Sequence, residues 1–155
     1  MTENIKKIYD TLEVIPNFPQ QGISFKDITP IFANPKILDL TINELLKLIP
    51  SSKVKFDYIA GLESRGFLVG LPVAQKLKLP FIPIRKKGKL PRQTISAFYT
   101  SEYGKAEIEI HKDDIKPNTN VLLVDDIIAT GGTILAAHTL INNLHANCQH
   151  VLVIG

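Results

Sequence analysis

One stretch constrains this chain more than any other: Val121, Leu122, Leu123, Val124, Asp125, Asp126, Ile127, Ile128, Ala129, Thr130, Gly131, Gly132 and Thr133, read consecutively as VLLVDDIIATGGT. Its first four residues form an unbroken apolar run, the pattern of a strand buried on both faces of a parallel sheet. Two carboxylates close the run. A glycine turn follows, and then a helical pattern carried by Ile134, Leu135, His138, Leu140, Ile141 and Leu144. Strand, acidic tip, glycine turn and helix leave backbone N–H groups unsatisfied at a helix N-terminus. Donors and dipole together favour an anion such as phosphate there. Glycine lets the main chain come close to that anion, and Thr130 and Thr133 add hydroxyl donors.

The acids narrow the choice of anion. Asp125 and Asp126 repel a phosphate, but they accept hydrogen bonds from two neighbouring hydroxyls, as a ribose diol offers. The stretch therefore reads as a cradle for a ribose 5-phosphate. No G-K-[ST] follows the glycines, so it is not a Walker A loop, and it does not match G-x-G-x-x-G. The plain alternative is a strand-to-helix connection with Asp as an N-cap and glycines for a tight turn.

Strands and helices alternate through the rest of the chain. Ile5, Ile8 and Leu12 predict a helix from Thr2 to about Glu13, and IPNFPQQG breaks it as an irregular connector. ISFKDITPIF reads as a short extended piece ending before Pro30. Asn34-Pro35 starts a helix that Pro50 ends. Strands are expected at Phe56–Ala60 and Pro80–Ile84, with Gly61–Gly66 as a loop and a helix running to Leu77, kinked or started late by Pro72. Thr94–Tyr99 and Ala106–His111 read as an antiparallel pair, and Val151–Ile154 as the start of a last strand. The result is an α/β chain with a parallel sheet. In such sheets ligands bind beyond the carboxyl ends of the strands, so the loops after Ala60, Ile84 and Val124 are expected at one edge.

Those loops carry the charge. In GLESRG, Ser64, the loop amides and the planar fork of Arg65 suit a second anionic group; the alternative is a local Glu63–Arg65 salt bridge on a solvated turn. RKKGKLP concentrates Arg85, Lys86, Lys87 and Lys89 beyond the second strand, either as a rim that steers a multiply charged substrate or as a solvated charge run. SEYG, Ser101 to Gly104, reads as a mobile flap between its two strands or as an exposed turn. In FPQQGISFKDITP, Phe25 suits stacking on a flat ring and the backbone of Ser24 to Lys26 suits reading its edge, with Ile127 on the other face; a core aromatic is the commoner fate of a Phe.

Composition bounds the rest. A chain of 155 residues, 45% hydrophobic and 21% charged, suits one ordered domain. Net charge +3 is too small to argue for nucleic acid. No apolar run reaches membrane-spanning length. The lone Cys148 excludes an internal disulfide and a Cys-based zinc site, fits a reducing cytosol, and reads as a buried small hydrophobe. His111, His138, His145 and His150 lack metal-ligand spacing and read as structural or surface residues.

Five of these motifs, in order from Phe18 to Thr133, resemble a known family. VLLVDDIIATGGT resembles the phosphoribosyl-diphosphate (PRPP) motif of the type I phosphoribosyltransferases. GLESRG resembles their diphosphate loop, where Asp is usual at the position of Glu63 and the peptide before Ser64 is commonly cis. RKKGKLP, SEYG and FPQQGISFKDITP resemble the adenine phosphoribosyltransferases. The resemblance implies a type I phosphoribosyltransferase fold over a single domain, residues 1–155. That fold is α/β, with a central, mostly parallel sheet flanked by helices, a small base-covering hood over about residues 1–34, and an antiparallel flap. It implies purine salvage, with adenine and PRPP giving AMP and diphosphate.

The resemblance also assigns roles. PRPP would be bound by Asp125, Asp126, Ala129, Thr130, Gly131, Gly132 and Thr133, by Glu63, Ser64 and Arg65, and by Arg85, Lys86 and Lys89. Adenine would be bound by Ser24, Phe25, Lys26 and Ile127. Glu102, Tyr103 and Arg65 would act in catalysis, with Glu102 handling a proton. Mg2+ is implied, held mainly by the PRPP diphosphate and not by a protein cluster, in a cytoplasmic homodimer with no membrane or nucleic-acid partner. Two departures stand out. Lys26 replaces the usual Arg, keeping charge but losing the fork. The chain ends at Gly155, where family members continue through a segment with a Gly-Arg pair, so a C-terminal tail is expected to be missing. The alternatives are a phosphoribosyltransferase for hypoxanthine, guanine or xanthine, and a non-catalytic PRPP-sensing regulator on the same fold.

Overall fold

The segments at 58–62, 81–86, 120–124 and 147–152 line up as the four parallel strands of a six-stranded sheet. The computed structural model describes residues 1–50, 54–101, 104–128 and 130–155. The chain divides into two compact units, Met1–Leu48 and Ile49–Gly155.

In the first unit, α1 (Glu3–Thr11) is capped by Thr2, whose side chain accepts the Ile5 N–H at 3.3 Å. Strands β1 (Glu13–Pro16) and β2 (Ser24–Asp27) pair antiparallel, from Glu13 opposite Asp27 to Pro16 opposite Ser24. The helical reading up to Glu13 and the irregular connector after it are corrected here. Leu12 is already extended, and the β-branched Val14 and Ile15 favour a strand once β2 supplies hydrogen-bond partners. The extended reading of ISFKDITPIF is corrected after Asp27. Asp27 Oδ1 accepts the Thr29 N–H at 2.9 Å, and α2 (Thr29–Ala33) starts there. Pro30 falls in its first turn, where the missing N–H costs nothing. Asn34 caps α3 (Pro35–Lys47), accepting from Lys36 and Ile37.

In the second unit the strand order is β5-β6-β4-β3-β7-β8. Strands β3 (Tyr58–Leu62), β4 (Phe81–Lys86), β7 (Asn120–Val124) and β8 (Asn147–Leu152) are parallel. The antiparallel hairpin β5 (Thr94–Ser101) and β6 (Gly104–His111) joins along β4. Helix α4 (Arg65–Leu77) links β3 to β4, and α5 (Gly132–Asn143) links β7 to β8. Ala136, Ala137, Leu140 and Ile141 of α5 pack with Ala60, Leu62, Ile84, Val121 and Leu123 in one core. Glycines let α4 lie close to the strands: a Cβ at Gly61 or Gly70 would stand 2.7 Å from the Phe81 ring. Helix α4 runs unbroken through Pro72. Strand β8 begins earlier than the expected Val151, because pairing of Asn147 with Asn120 recruits the polar residues before it. Cys148 is buried, and burial pushes its thiol up to about 11.

Candidate active site

Parallel pairing of β3 with β7 sets their carboxyl ends side by side, Gly61 opposite Val124. Each strand turns there into a helix whose N-cap, Ser64 for α4 and Gly131 for α5, makes no side-chain capping bond. Two helix N-termini with their dipoles thus open at one sheet edge. Gly131 has φ +81°, a left-handed conformation that glycine adopts without penalty. A pocket of about 90 Å³ lies in this turn, lined by Asp125, Ile127, Ile128, Thr130, Gly131, Thr133 and Ile134.

The two acids occupy different environments. Asp126 is buried, and its Oδ2 lies 2.8 Å from Arg65 Nε at the start of α4, without an aligned hydrogen bond. The Asp126 N–H donates to Asp125 Oδ1 at 2.8 Å. Burial, and after it the neighbouring Asp126 carboxyl, push Asp125 up to about 7, against the opposing pull of the Asp126 N–H and Arg65. Asp125 is therefore inclined to hold a proton near neutrality. Gly66 makes this closeness feasible: a Cβ there would stand 3.1 Å from both Asp125 Oδ1 and the Val124 carbonyl.

The basic loop is tied to the same edge. Arg85 Nε donates to Glu63 Oε1 at 2.8 Å, and the Lys86 N–H reaches the same oxygen at 3.3 Å. Burial pushes the Glu63 carboxyl up, but the bonds from Arg85 and Lys86 and their charges outweigh it and hold Glu63 below its ordinary value. Among the described residues Glu63 pairs with Arg85 and Arg65 with Asp126, in place of the local Glu63–Arg65 bridge weighed from the sequence. The Glu63–Ser64 peptide is cis. Arg85 Nη1 lies 3.5 Å from the Lys89 carbonyl. A Cβ at Gly132 would stand 3.3 Å from the Thr100 carbonyl, so the stem of the β5–β6 hairpin lies beside the glycine turn.

The structure thus gathers Glu63, Ser64, Arg65, Arg85, Asp125, Asp126, Ile127, Thr130, Gly131, Gly132 and Thr133 at neighbouring strand ends and turns. Glu102, Tyr103 and Ala129 lie outside the described residues. Ser24, Phe25 and Lys26 belong to the first unit, where Phe25 meets Phe18 edge-to-face at 5.3 Å. Sequence reasoning passed over Glu109, a buried acid beneath the basic loop. Its signal was a carboxylate between Ile108 and Ile110 in a strand.

Residues 27–154 match the family described as phosphoribosyl transferase domain. The adenine phosphoribosyltransferase of Malacoplasma penetrans is 52% identical over 139 residues, covering 90% of this chain and 80% of that protein. The chain belongs to the adenine phosphoribosyltransferase family. Among solved adenine phosphoribosyltransferases, that of Saccharomyces cerevisiae superposes with TM-score 0.91 at 43% identity, over 97% of this chain and 87% of that one. It was solved with D-2,5-dideoxy-2,5-imino-altritol 1,6-bisphosphate and adenine. The Thermoanaerobacter pseudethanolicus adenine phosphoribosyltransferase gives TM-score 0.89 at 43% identity, over 95% of this chain and 84% of that one. Among the described residues no His, Cys, Asp and Glu group forms a metal cluster, and no helix is long and apolar enough to cross a membrane.

Proposed function

We infer that this chain transfers the 5-phosphoribosyl group of PRPP to adenine, giving AMP and diphosphate. The observation that carries this reading is the Asp125–Asp126 pair set between two uncapped helix N-termini and faced by Arg65. The α5 turn holds the 5-phosphate through its amides with Thr130, Gly131, Gly132, Thr133 and Ala129. The acids accept the ribose hydroxyls. Ser64, Arg65, Glu63, Arg85, Lys86 and Lys89 form the diphosphate side, with Glu63 acting through Arg85. Ser24, Phe25, Lys26 and Ile127 receive the base, an assignment that rests on sequence resemblance.

In the reaction the bond from ribose C1 to diphosphate breaks and a bond from C1 to a ring nitrogen of adenine forms. The transition state is oxocarbenium-like, as in other glycosyl transfers. Asp125 and Asp126 sit where they favour the positive charge that grows on the ribose, and Arg65, Arg85 and Lys89 stabilise the departing diphosphate. Holding base and sugar in line supplies much of the acceleration. The proton lost by the attacking nitrogen is assigned to Glu102, with Tyr103 beside it. Mg2+ fits the donor chemistry of the substrate, whose phosphate oxygens with water give it the all-oxygen shell it favours. The ion would be held mainly by the PRPP diphosphate, and when bound would neutralise leaving-group charge. A cytoplasmic homodimer completes the reading.

The test is turnover of PRPP and Mg2+ with adenine, hypoxanthine, guanine and xanthine side by side. AMP and diphosphate should appear in equal amounts from adenine, with the other bases slower by on the order of a hundredfold. Faster use of another base would replace the assigned specificity, and PRPP binding without turnover of any base would make the chain a sensor.

A further inference from the structure

Glu109 lies on β6 directly opposite Arg85 of β4 and is 5% exposed. A buried carboxylate needs partners, and these come from the loop that follows β4. Its Oε1 accepts the N–H of Gly88 at 3.1 Å and of Leu90 at 3.2 Å, and its Oε2 accepts the Thr94 hydroxyl at 3.1 Å. The two amides flank Lys89, so one oxygen pins the chain on both sides of that lysine. Gly88, at φ +86°, supplies the turn that aims both amides inward. Beside it stand Arg85 and Lys86 at the end of β4 and Lys87 in the loop, whose mutual repulsion favours spreading and is opposed by the two amide bonds to Glu109.

We propose that Glu109 is a positioning residue for PRPP: it preorganises the basic loop so that Arg85 and Lys89 meet the diphosphate already in place. The inference rests on the reading of that loop as the diphosphate side. Its action depends on reach and acceptor geometry more than on charge. Glu109→Gln keeps an oxygen at the same distance, with an amide group for Thr94. Glu109→Asp keeps the charge but is one methylene too short to hold both amides.

The experiment measures kcat and both KM values for the parent, Glu109→Gln, Glu109→Asp and Lys89→Ala. Glu109→Asp should raise the PRPP KM about tenfold or more, while the adenine KM and the kcat at saturating PRPP stay near the parent's. Glu109→Gln should stay within about threefold of the parent, the lost charge being secondary to the retained acceptor. Lys89→Ala should raise the PRPP KM. Parent-like behaviour of Glu109→Asp alongside an impaired Lys89→Ala would overturn the role of Glu109 and leave the loop's role standing. A silent Lys89→Ala would remove the loop reading and the proposal together. An impaired Glu109→Gln beside a parent-like Glu109→Asp would show charge, not reach, at work and overturn the proposal. Amide exchange on the parent is independent of any variant's folding: Gly88 and Leu90 should exchange more slowly than Lys89, and equal rates would contradict the anchoring.

Discussion

At the scale of single residues, the paired acids separate by environment. Asp126 faces Arg65 and is buried. Asp126→Asn removes a charge-assisted contact and a ribose acceptor together, and turnover should fall about ten- to a hundredfold in a folded protein. Full activity of that variant would end the ribose-anchor role. Asp125 makes a prediction about pH. Its carboxyl is raised in the folded chain from an ordinary 3.8 to about 7. The folded state therefore holds a proton that the unfolded chain has released. The stability this confers is complete below about pH 4 and is lost as pH rises through about 7. Asp125→Asn does not titrate, so melting temperatures of parent and variant, taken near pH 5 and pH 8, should show the parent losing more on going to the higher pH. Parallel losses would mean that Asp125 does not hold a proton there.

Elements bring these residues within reach through glycine. Helix α4 starts against the tip of β7 because Gly66 has no side chain. Gly66→Ala would place a Cβ 3.1 Å from the Val124 carbonyl and from Asp125 Oδ1. Backbone cannot yield as a side chain does, so a cost of about 1–3 kcal/mol is expected, with weakened PRPP binding as the tip shifts. Gly131 differs, since nothing stands within 4 Å of a Cβ built there and the cost arises only from φ +81°. Gly131→Ala should destabilise by about 1–2 kcal/mol. Gly131→Val, by filling the turn beside the pocket, should lower PRPP affinity more than the alanine variant does; calorimetric titration of the folded variants would show it. The β5–β6 hairpin carries the flap assignment. If Glu102 handles the proton, Glu102→Gln should lower kcat about 10²–10⁴-fold with PRPP affinity nearly unchanged. If Glu102 only latches the flap, Glu102→Gln should be mild and Glu102→Leu severe.

For the whole molecule, charge distribution matters more than net charge. The formal total is only +3, yet Arg85, Lys86, Lys87 and Lys89 cluster at the end of β4 and just beyond it, on the edge where the acids and helix N-termini converge. A multiply anionic substrate feels that local field, which salt screens over about 8–10 Å at physiological ionic strength. Raising salt from low to physiological levels should lower kcat/KM for PRPP severalfold, mainly through KM, while leaving the adenine KM unmoved. A salt-independent PRPP KM would assign the rim to solvation alone.

The sequence by itself determined the centre of this protein, because β7, its acids, the glycine turn and α5 are consecutive, and each local preference agrees with the next. The same holds for α3, whose Asn34 cap and Pro35 start are neighbours in the chain. Tertiary structure decided the short segments at Glu13–Pro16 and Thr29–Ala33, whose propensities are too weak to choose a state until β2 or the Asp27 turn supplies hydrogen bonds. It also decided the partners of the charged residues at the strand ends. Glu63 finds Arg85, Arg65 finds Asp126, and Glu109 finds Gly88 and Leu90. Those pairings follow from strand order and register, which hydrogen bonds between distant segments set. The chain displayed which charges it carried; the register of β3, β4, β6 and β7 settled which of them meet.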